Sequence, residues 1–265
     1  MQLKRISTGI SGLDSLLNGG FLPTRSYLVT GEAGTGKTTA CMQFLLSGLE
    51  QGENAIYVTA DERPTEILQS AASLGWDLQR YVQGKNLVIL DASPYFSGRA
   101  NSAGGEKGGD LQKIVSDLAA YAKRMEAERL VVDPVTPLIT SGDSPARVQE
   151  LARAFVHLIQ SNLNTTNLFT SHLPRRADHD LTNGIEEFLA AGVIVLGVTR
   201  LDDLFIRTLQ VKKMRGTAVQ PNEHRFEIAS GKGVALLSPE LNGGSDTDEP
   251  LHALEFFHLP KQDEE

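Results

Sequence analysis

The stretch Gly31-Glu32-Ala33-Gly34-Thr35-Gly36-Lys37-Thr38 determines how the rest of the chain is interpreted. It fits the pattern G-x-x-x-x-G-K-[ST] at every position. A strand-like run, Ser26–Thr30, precedes it, and a helix-like run, Thr39–Leu49, follows it. In such a strand, turn and helix, glycines let successive backbone N–H groups point into one concavity at a helix N-terminus, which suits phosphate oxygens. The sequence therefore predicts a phosphate-binding loop.

The residue types within this loop indicate binding of a nucleoside triphosphate with a divalent cation. Lys37 is placed as a point charge for the β- and γ-phosphates. Thr38 offers a hydroxyl to Mg²⁺, which prefers hard oxygen ligands. A dinucleotide-binding turn read from Gly34 and Gly36 fails, because Thr39 stands at the position of its third glycine. The predicted nucleotide-binding residues are Ala33, Gly34, Thr35, Gly36, Lys37, Thr38 and Thr39.

Short apolar runs alternate with amphipathic stretches along most of the chain. This alternation predicts βαβ units in an α/β fold, with a mostly parallel twisted sheet and helices on both faces. After residue 198 two strand-like runs follow without a helix between them, which predicts antiparallel strands added near the C-terminus. The predicted strands are Ser26–Thr30, Ala55–Thr59, Leu87–Asp91, Leu130–Asp133, Asn167–Ser171, Val193–Val198, Phe205–Met214 and Arg225–Ile228. The predicted helices are Thr38–Gln51, Pro64–Leu74, Asp110–Met125 and Ala146–Leu163.

The remaining segments divide the chain into one domain and a tail. Ser11 and Asp14 have the spacing of a capping box, which predicts a short helix over Gly12–Leu17. The glycine-rich stretch Ser97–Gly109 is predicted to be a mobile loop. We expect residues 1–237 to form the nucleotide-binding domain and residues 238–265 to form an acidic, flexible C-terminal tail.

Composition narrows the function classes. The net charge of −8 disfavours a constitutive nucleic-acid or membrane-surface binder. The single cysteine, Cys41, gives no sign of an oxidising compartment and is expected to be a buried apolar side chain. Neither a secretory signal nor an apolar run long enough to span a membrane is evident. We therefore expect a cytoplasmic protein without membrane contact.

Carboxylates at predicted strand ends are candidates for metal binding and catalysis. Asp133 ends an apolar strand, where a carboxylate can hold the Mg²⁺ shell, and Asp91 is the competing candidate. Asp61 and Glu62 follow another strand on the same edge of the sheet. Glu62 is the favoured base for a water that attacks the γ-phosphorus, with Asp61 as its helper. The alternative is that both charges only favour the dipole of the following helix.

Further sequence features lie in a fixed order around these sites, from Ile6 to about Leu237. Together they resemble the KaiC-like branch of the RecA superfamily of ATPases. The features that carry the resemblance are Ser7–Asp14 leading to Gly19-Gly20, Gln43-Phe44, Val58–Pro64, Leu74–Leu78, Ile89–Ser93, Glu186–Phe188 and Lys213–Thr217.

The resemblance implies a RecA-like P-loop core and ATP with Mg²⁺ bound at the subunit interfaces of a homo-oligomeric ring, commonly a hexamer. It implies that Glu62 and Asp61 act as catalytic acids or bases. It also implies that Lys213 and Arg215 reach the γ-phosphate of the neighbouring subunit, where a cation offsets charge on the transferring group. The alternative for the two cations is a solvated basic strand end.

Departures from the family pattern also carry expectations. There is room for one domain rather than two, and the positions of autophosphorylated residues fall near Glu187-Phe188, so autokinase activity is not expected. Thr24-Arg25 replaces a usual glycine, and Pro134 follows the metal-binding Asp133. Val219 stands where a base-contacting histidine is common, which leaves selectivity for ATP over GTP open. Ser171 and His172 either sense the γ-phosphate or have no such role.

We therefore expect an ATPase with a regulatory or signalling role and an unidentified regulatory protein partner. One alternative is a non-hydrolysing, ATP-gated scaffold. Another is a DNA-acting recombinase or remodeller, which the acidic charge disfavours. A protein kinase would need H-R-D and D-F-G motifs, which the sequence lacks.

Overall fold

The computed structural model describes residues 4–93, 107–139, 145–172, 190–201, 204–220 and 222–237. The described residues form one sheet of nine strands in the order β3-β2-β4-β5-β1-β6-β7-β8-β9. The strands are β1 (Ser26–Gly31), β2 (Asn54–Thr59), β3 (Leu87–Asp91), β4 (Ala127–Asp133), β5 (Thr166–His172), β6 (Gly192–Leu201), β7 (Leu204–Met214), β8 (Glu223–Ala229) and β9 (Gly233–Leu236).

Two apolar layers cover this sheet, one on each face. One layer contains the first four helices of the chain, with Leu13, Phe44 and Ile67 fully buried in it. The other contains the next three helices, with Phe155 packed on Phe169 of β5. Helices on both faces explain why β1 and β2 are buried along almost their whole length and apolar in the middle. The helices are α1 (Leu13–Leu16), α2 (Lys37–Leu49), α3 (Pro64–Ser73), α4 (Leu78–Gln83), α5 (Lys107–Met125), α6 (Thr136–Ile139) and α7 (Pro145–Asn162).

The directions of the strands define two opposite edges of the sheet, where the strands begin and end. Strands β1 to β6 pair in parallel, so their carboxyl ends meet at one edge, with Thr59 opposite Asp133 and Gly31 opposite His172. We call this the carboxyl edge. Strands β6 to β9 pair antiparallel. β7 therefore runs back and ends with Met214 beside Gly192, at the opposite end of β1, which we call the amino edge. This arrangement confirms the predicted fold class.

A buried arginine ties the first segment of the chain to the core. Arg129 in β4 is 1% exposed and its Nε lies 2.5 Å from the carboxylate of Glu53. Its Nη1 donates to the carbonyl oxygens of Ser7 and Phe44, at 2.8 and 2.6 Å. Gly48 makes room for it, because a Cβ there would lie 2.2 Å from Nε. One side chain thus holds the N-terminal segment, α2 and β4 together.

Three local predictions need correction. The capping box at Ser11 and Asp14 is wrong: Gly12 is the N-cap of α1 without a side-chain bond. Asp14 instead accepts hydrogen bonds from the Ser7 hydroxyl and from both the N–H and hydroxyl of Thr8. The predicted loop Ser97–Gly109 is also wrong in its last residues, because α5 already begins at Lys107.

The last correction concerns the end of the domain, where the sequence did not predict β9 as a strand. The rest of the glycine-rich loop and the acidic tail lie outside the described residues. No helix within the described ranges combines the length and apolar character needed to cross a bilayer.

Candidate functional site

The phosphate loop turns on two glycines with positive φ. Gly34 has φ 78° and Gly36 has φ 104°, in the left-handed region that side chains disfavour. A Cβ on Gly36 would also lie 2.7 Å from Cδ1 of Ile228, whereas one on Gly34 would meet open space. The loop then enters α2 directly at Lys37. The first N–H groups of this helix have no partner within the helix and are available to an anion.

Lys37 lies folded against its own loop. Its Nζ donates to the carbonyl oxygens of Gly31 and Glu32, at 2.9 and 2.8 Å. Burial lowers the pKa of Lys37, and the negative charge of Asp133 opposes this shift. Thr35 is buried and its hydroxyl donates to the same Glu32 carbonyl at 2.8 Å, which braces the loop. An arriving phosphate would replace carbonyl oxygens as the partner of the ammonium group.

Asp133 is held by three hydroxyl groups. Its Oδ2 accepts hydrogen bonds from Thr38 at 2.8 Å and from Tyr57 at 2.6 Å, and its Oδ1 accepts one from Thr170. The residue as a whole is 8% exposed. A threonine hydroxyl and a carboxylate in contact are hard oxygen donors of the kind that Mg²⁺ binds beside water and phosphate. These residues therefore fit the predicted cation site, and Thr38 and Asp133 are the groups that would hold it.

Sequence reasoning missed Tyr57 and Thr170 as parts of this cluster. Both are buried polar side chains in the strands that flank β4, Tyr57 in β2 and Thr170 in β5. Burial raises the pKa of Tyr57 well above its ordinary value, and the charge of Asp133 adds to this. The phenol therefore remains a hydrogen-bond donor. A buried tyrosine in the strand beside Asp133 was the available signal, because its hydroxyl needs a partner.

The carboxylate pair follows β2 at the same edge. The hydroxyl of Thr59 donates to the carbonyl oxygen of Glu62 at 2.7 Å and accepts from its N–H at 3.2 Å, which fixes the turn. Partial desolvation raises the pKa of the Glu62 carboxyl, and the charges of Asp133, Glu66 and Asp61 raise it further. A carboxyl with a raised pKa is a better proton acceptor than an ordinary one once it is ionised.

A cavity of about 420 Å³ joins these groups at the carboxyl edge. Thr35 braces the loop from behind and does not line it. The competing metal ligand Asp91 is exposed, accepts from the N–H of Ser93 at 2.8 Å and is not part of the wall. Ser171 donates to Thr30 and also lies outside the wall. The wall consists of Ala33, Gly34, Gly36, Lys37, Thr38, Thr39, Thr59, Asp61, Glu62, Ile67, Asp133, Pro134, His172 and Ile228.

Lys213 and Arg215 lie elsewhere. Lys213 is the penultimate residue of β7, and the Arg215 N–H donates to the carbonyl oxygen of Ala191 at 2.7 Å, at the amino edge. The six residues of β1 separate this edge from the phosphate loop of the same chain, a length of roughly 20 Å. The structure therefore does not bring these two cations to the cavity of their own chain.

Cys41 is fully buried in α2, as predicted. Burial raises the pKa of its thiol well above the ordinary value, and the charge of Asp133 adds to this. A thiol that stays protonated is a poor nucleophile. Cys41 is a packing residue beside the site rather than a reactive group.

The fold and the cavity together define a P-loop nucleotide-binding protein with an α/β core. The family described as "ATPase: KaiC" matches residues 6–240, so the chain belongs to the KaiC family of ATPases. This membership confirms the resemblance and implies nucleotide binding.

Individual relatives agree with this family. The circadian clock oscillator protein KaiC of Prochlorococcus marinus is 32% identical over 240 residues, which cover 90% of this chain and 46% of that protein. The chain thus spans about half the length of the clock proteins it matches. A UPF0273 protein of Methanopyrus kandleri is 31% identical over 233 residues and is covered to 90%. The crystal structure of a KaiC-like protein from Pyrococcus horikoshii superposes with a TM-score of 0.75 at 28% identity, covering 89% of this chain and 100% of that one.

Proposed function

We propose that this protein hydrolyses Mg-ATP at sites that two copies of the chain build together. The observation that carries this proposal is the separation of Lys213 and Arg215 from the cavity of their own chain by the length of β1. Cations at one edge and a phosphate loop at the other form two different surfaces. Two such surfaces that meet are a heterologous contact, which closes into a ring when the rotation allows it. A ring, with six copies as the family resemblance implies, is the assembly we propose.

Within each site we assign the chemistry to this chain's own residues. Lys37 and the N–H groups of the loop bind the β- and γ-phosphates, and Thr38 with Asp133 holds the cation. Mg²⁺, when bound, neutralises charge on the phosphate oxygens. Glu62 orients a water and accepts its proton as the oxygen–phosphorus bond forms and ADP leaves, with Asp61 beside it.

The second copy supplies the remaining positive charge. Arg215 is exposed at the amino edge, which makes it available to a neighbour. Charge spreads over the γ-phosphoryl oxygens in the transition state, so a cation from the neighbour acts mainly on the rate rather than on ATP binding. Lys213 lies on the same edge, two residues earlier, and is assigned the same role.

A regulatory role is part of the proposal. Its support is the kinship with proteins named for the circadian clock, of which this chain covers about half. We propose that nucleotide turnover changes how the ring binds a regulatory protein, with the partner still to be identified by experiment.

The test is phosphate release from Mg-ATP as the protein concentration rises. Specific activity should climb with concentration, and Lys37→Ala, Glu62→Gln and Arg215→Ala should each abolish it. Mixing inactive Lys37→Ala with inactive Arg215→Ala should restore activity. Random assembly of equal amounts joins an intact cavity to an intact Arg215 of the neighbouring copy, which we call the finger, at about a quarter of the interfaces. Wild-type protein that binds ATP but releases no phosphate at any concentration would instead establish the ATP-gated scaffold.

A further inference from the structure

The turn that follows Arg215 is bound by a side chain from the beginning of the sequence. Arg5 Nη1 lies 2.8 Å from the hydroxyl oxygen of Thr217, and Nη2 lies 3.1 Å from the carbonyl oxygen of Gly216. The same Nη1 lies 2.9 Å from the carbonyl oxygens of Leu17 and Gly20. Since Nη1 carries two hydrogens, it shares them among three acceptors. The guanidinium group thus bridges the turn and the segment that leads to β1.

Other contacts also hold this turn. The Arg215 N–H donates to Ala191, which extends the β6–β7 ladder by one residue. Gly216 has φ 73°, and a Cβ there would lie 2.9 Å from Cδ1 of Leu22. The Thr217 N–H donates to the Met214 carbonyl at a long 3.4 Å. The contacts of Arg5 are therefore the shortest polar bonds to the Gly216–Thr217 tip among those described.

We propose that Arg5 is a positioning residue that fixes the backbone around Arg215, so that the Arg215 guanidinium enters the neighbouring site in a productive position. This inference rests on the proposed function, because it assumes that Arg215 acts in the next subunit. None of the hydrogen bonds that the described residues make with Arg5 involves the cavity wall, and its effect passes through the turn.

The planar geometry of arginine explains why this residue type suits the position. A guanidinium group offers several donors in a fixed fork, so it can hold two elements at a defined distance. Arg215 follows the last residue of β7, and its long side chain has many rotamers. Fixing the turn reduces the number of directions from which that side chain can approach the phosphate. A displacement of about 1 Å at a reacting centre can cost roughly a hundredfold in rate.

The decisive variants are Arg5→Gln and Thr217→Val, with Lys4→Gln as the matched control. Lys4 is an exposed cation next to Arg5, so its loss changes charge without changing the turn. Arg5→Gln should lower kcat by about 10-fold to 100-fold while KM for ATP and binding of a fluorescent ATP analogue stay unchanged. Thr217→Val should lower kcat by a smaller factor and add nothing to Arg5→Gln in the double variant. Arg5→Lys should recover part of the activity.

Mixing experiments separate positioning from general damage. Arg5→Gln mixed with Lys37→Ala should regain activity, because some interfaces join the intact cavity of one variant to the intact finger of the other. Arg5→Gln mixed with Arg215→Ala should regain none, because every finger is then defective. Loss of ATP binding in Arg5→Gln, or absence of recovery with Lys37→Ala, would overturn the proposal. If Arg215→Ala keeps full activity, the proposed function itself fails. If Arg215→Ala is inactive and Arg5→Gln is normal, only the role of Arg5 fails.

Discussion

The two edges of the sheet are built in opposite ways. At the carboxyl edge the candidate catalytic groups are held by contacts inside one chain, with the Asp133 carboxylate buried under three hydroxyl donors. At the amino edge Arg215 is exposed and is positioned through its backbone, by the ladder to Ala191 and by the bonds of Arg5 to the following turn. The first edge holds its polar groups around a cavity, and the second presents a side chain outward.

Under the proposed function, each chain contributes half of two sites. A group that must bind phosphate and metal benefits from fixed geometry in a closed cavity. A group that must reach another subunit needs an anchored base and a free end. Variants at the two edges should therefore belong to two complementation groups.

The largest expected effect comes from Glu62→Gln. Loss of the proton acceptor should lower kcat by about 10²-fold to 10⁴-fold, whereas ATP binding is kept because Lys37 and the loop are intact. Phosphate release and binding of a fluorescent ATP analogue measure the two quantities. Mixing with Arg215→Ala should restore activity, whereas mixing with Lys37→Ala should not, because both defects lie at the carboxyl edge. Recovery in the mixture of Glu62→Gln with Lys37→Ala would show that these two residues do not act in the same half of a site.

The second prediction concerns the stability of the sheet that joins the two edges, which we expect to depend on the buried Arg129. Arg129 stands near the amino end of β4, whose other end carries Asp133. Arg129→Ala leaves Glu53 and two backbone carbonyl oxygens without their donor, and should lower the free energy of unfolding by about 3–5 kcal/mol. Urea unfolding followed by circular dichroism measures this loss of unfolding free energy.

The control for this variant is the exposed pair Arg147–Glu150, whose N–O distance of 2.7 Å is nearly the same. Arg147 is 39% exposed, so solvent screens the pair, and Arg147→Ala should cost about 0.5 kcal/mol or less. Equal losses for the two variants would show that burial is not what makes Arg129 important.

The sequence predicted the elements that repeat a simple pattern. Parallel strands and covering helices follow from apolar runs in alternation with amphipathic stretches, and the ends of the predicted strands lie no more than three residues from the observed ends. β9 was not predicted, because its four residues follow a polar turn and are too few to show a period. Asp14 was misassigned since a carboxylate three residues after a serine suits both a capping box and a bond to a preceding segment. Only the path of Ile6–Gly9 decides between them.

The candidate site was predictable where the residues that bind the ligand lie close together in the sequence. The loop from Ala33 to Thr39 carries its own spacing rule, and Asp133 was favoured over Asp91 because the loop-like stretch Ala92-Ser93-Pro94 follows Asp91. Tyr57 and Ile228 could not be found in the same way, since their roles depend on which strands become neighbours. Ile228 reaches the cavity from β8, about 190 residues after the loop that it touches.

A smaller effect should follow from removing one hydroxyl at the carboxyl edge. Tyr57→Phe deletes a donor to Asp133, so the carboxylate is held less firmly toward the cation. We expect the Mg²⁺ concentration that gives half the maximal rate to rise about tenfold, because removing a hydrogen-bond partner of a metal ligand weakens metal binding. The KM for ATP at saturating Mg²⁺ should be unchanged. Binding of Mn²⁺ to the protein–ADP complex, followed by electron paramagnetic resonance, gives a readout independent of turnover.

Tyr27→Phe is the matched control for Tyr57→Phe. Tyr27 is also a fully buried tyrosine, in β1, but its hydroxyl exchanges hydrogen bonds with the backbone of Leu22. Its loss should lower stability without changing the Mn²⁺ affinity. A similar change of affinity in both variants would mean that Tyr57 acts through packing alone.

The smallest expected effect is a shift of the pH profile. Glu62 works as a base when ionised, so activity falls as the pH drops through its pKa, which Glu66 helps to raise. Glu66→Gln removes that charge but keeps an oxygen for the Arg63 N–H that Glu66 binds at 2.8 Å. The pKa of Glu62 should fall, and the acid limb of kcat should move to lower pH while the plateau stays.

Glu128→Gln makes the same charge change on an exposed residue near the amino end of β4 and should leave the acid limb of kcat in place. If both variants shift the limb equally, the response reflects net charge and Glu62 is not the titrating base. If only Glu66→Gln shifts it, the proton acceptor belongs to the carboxyl edge.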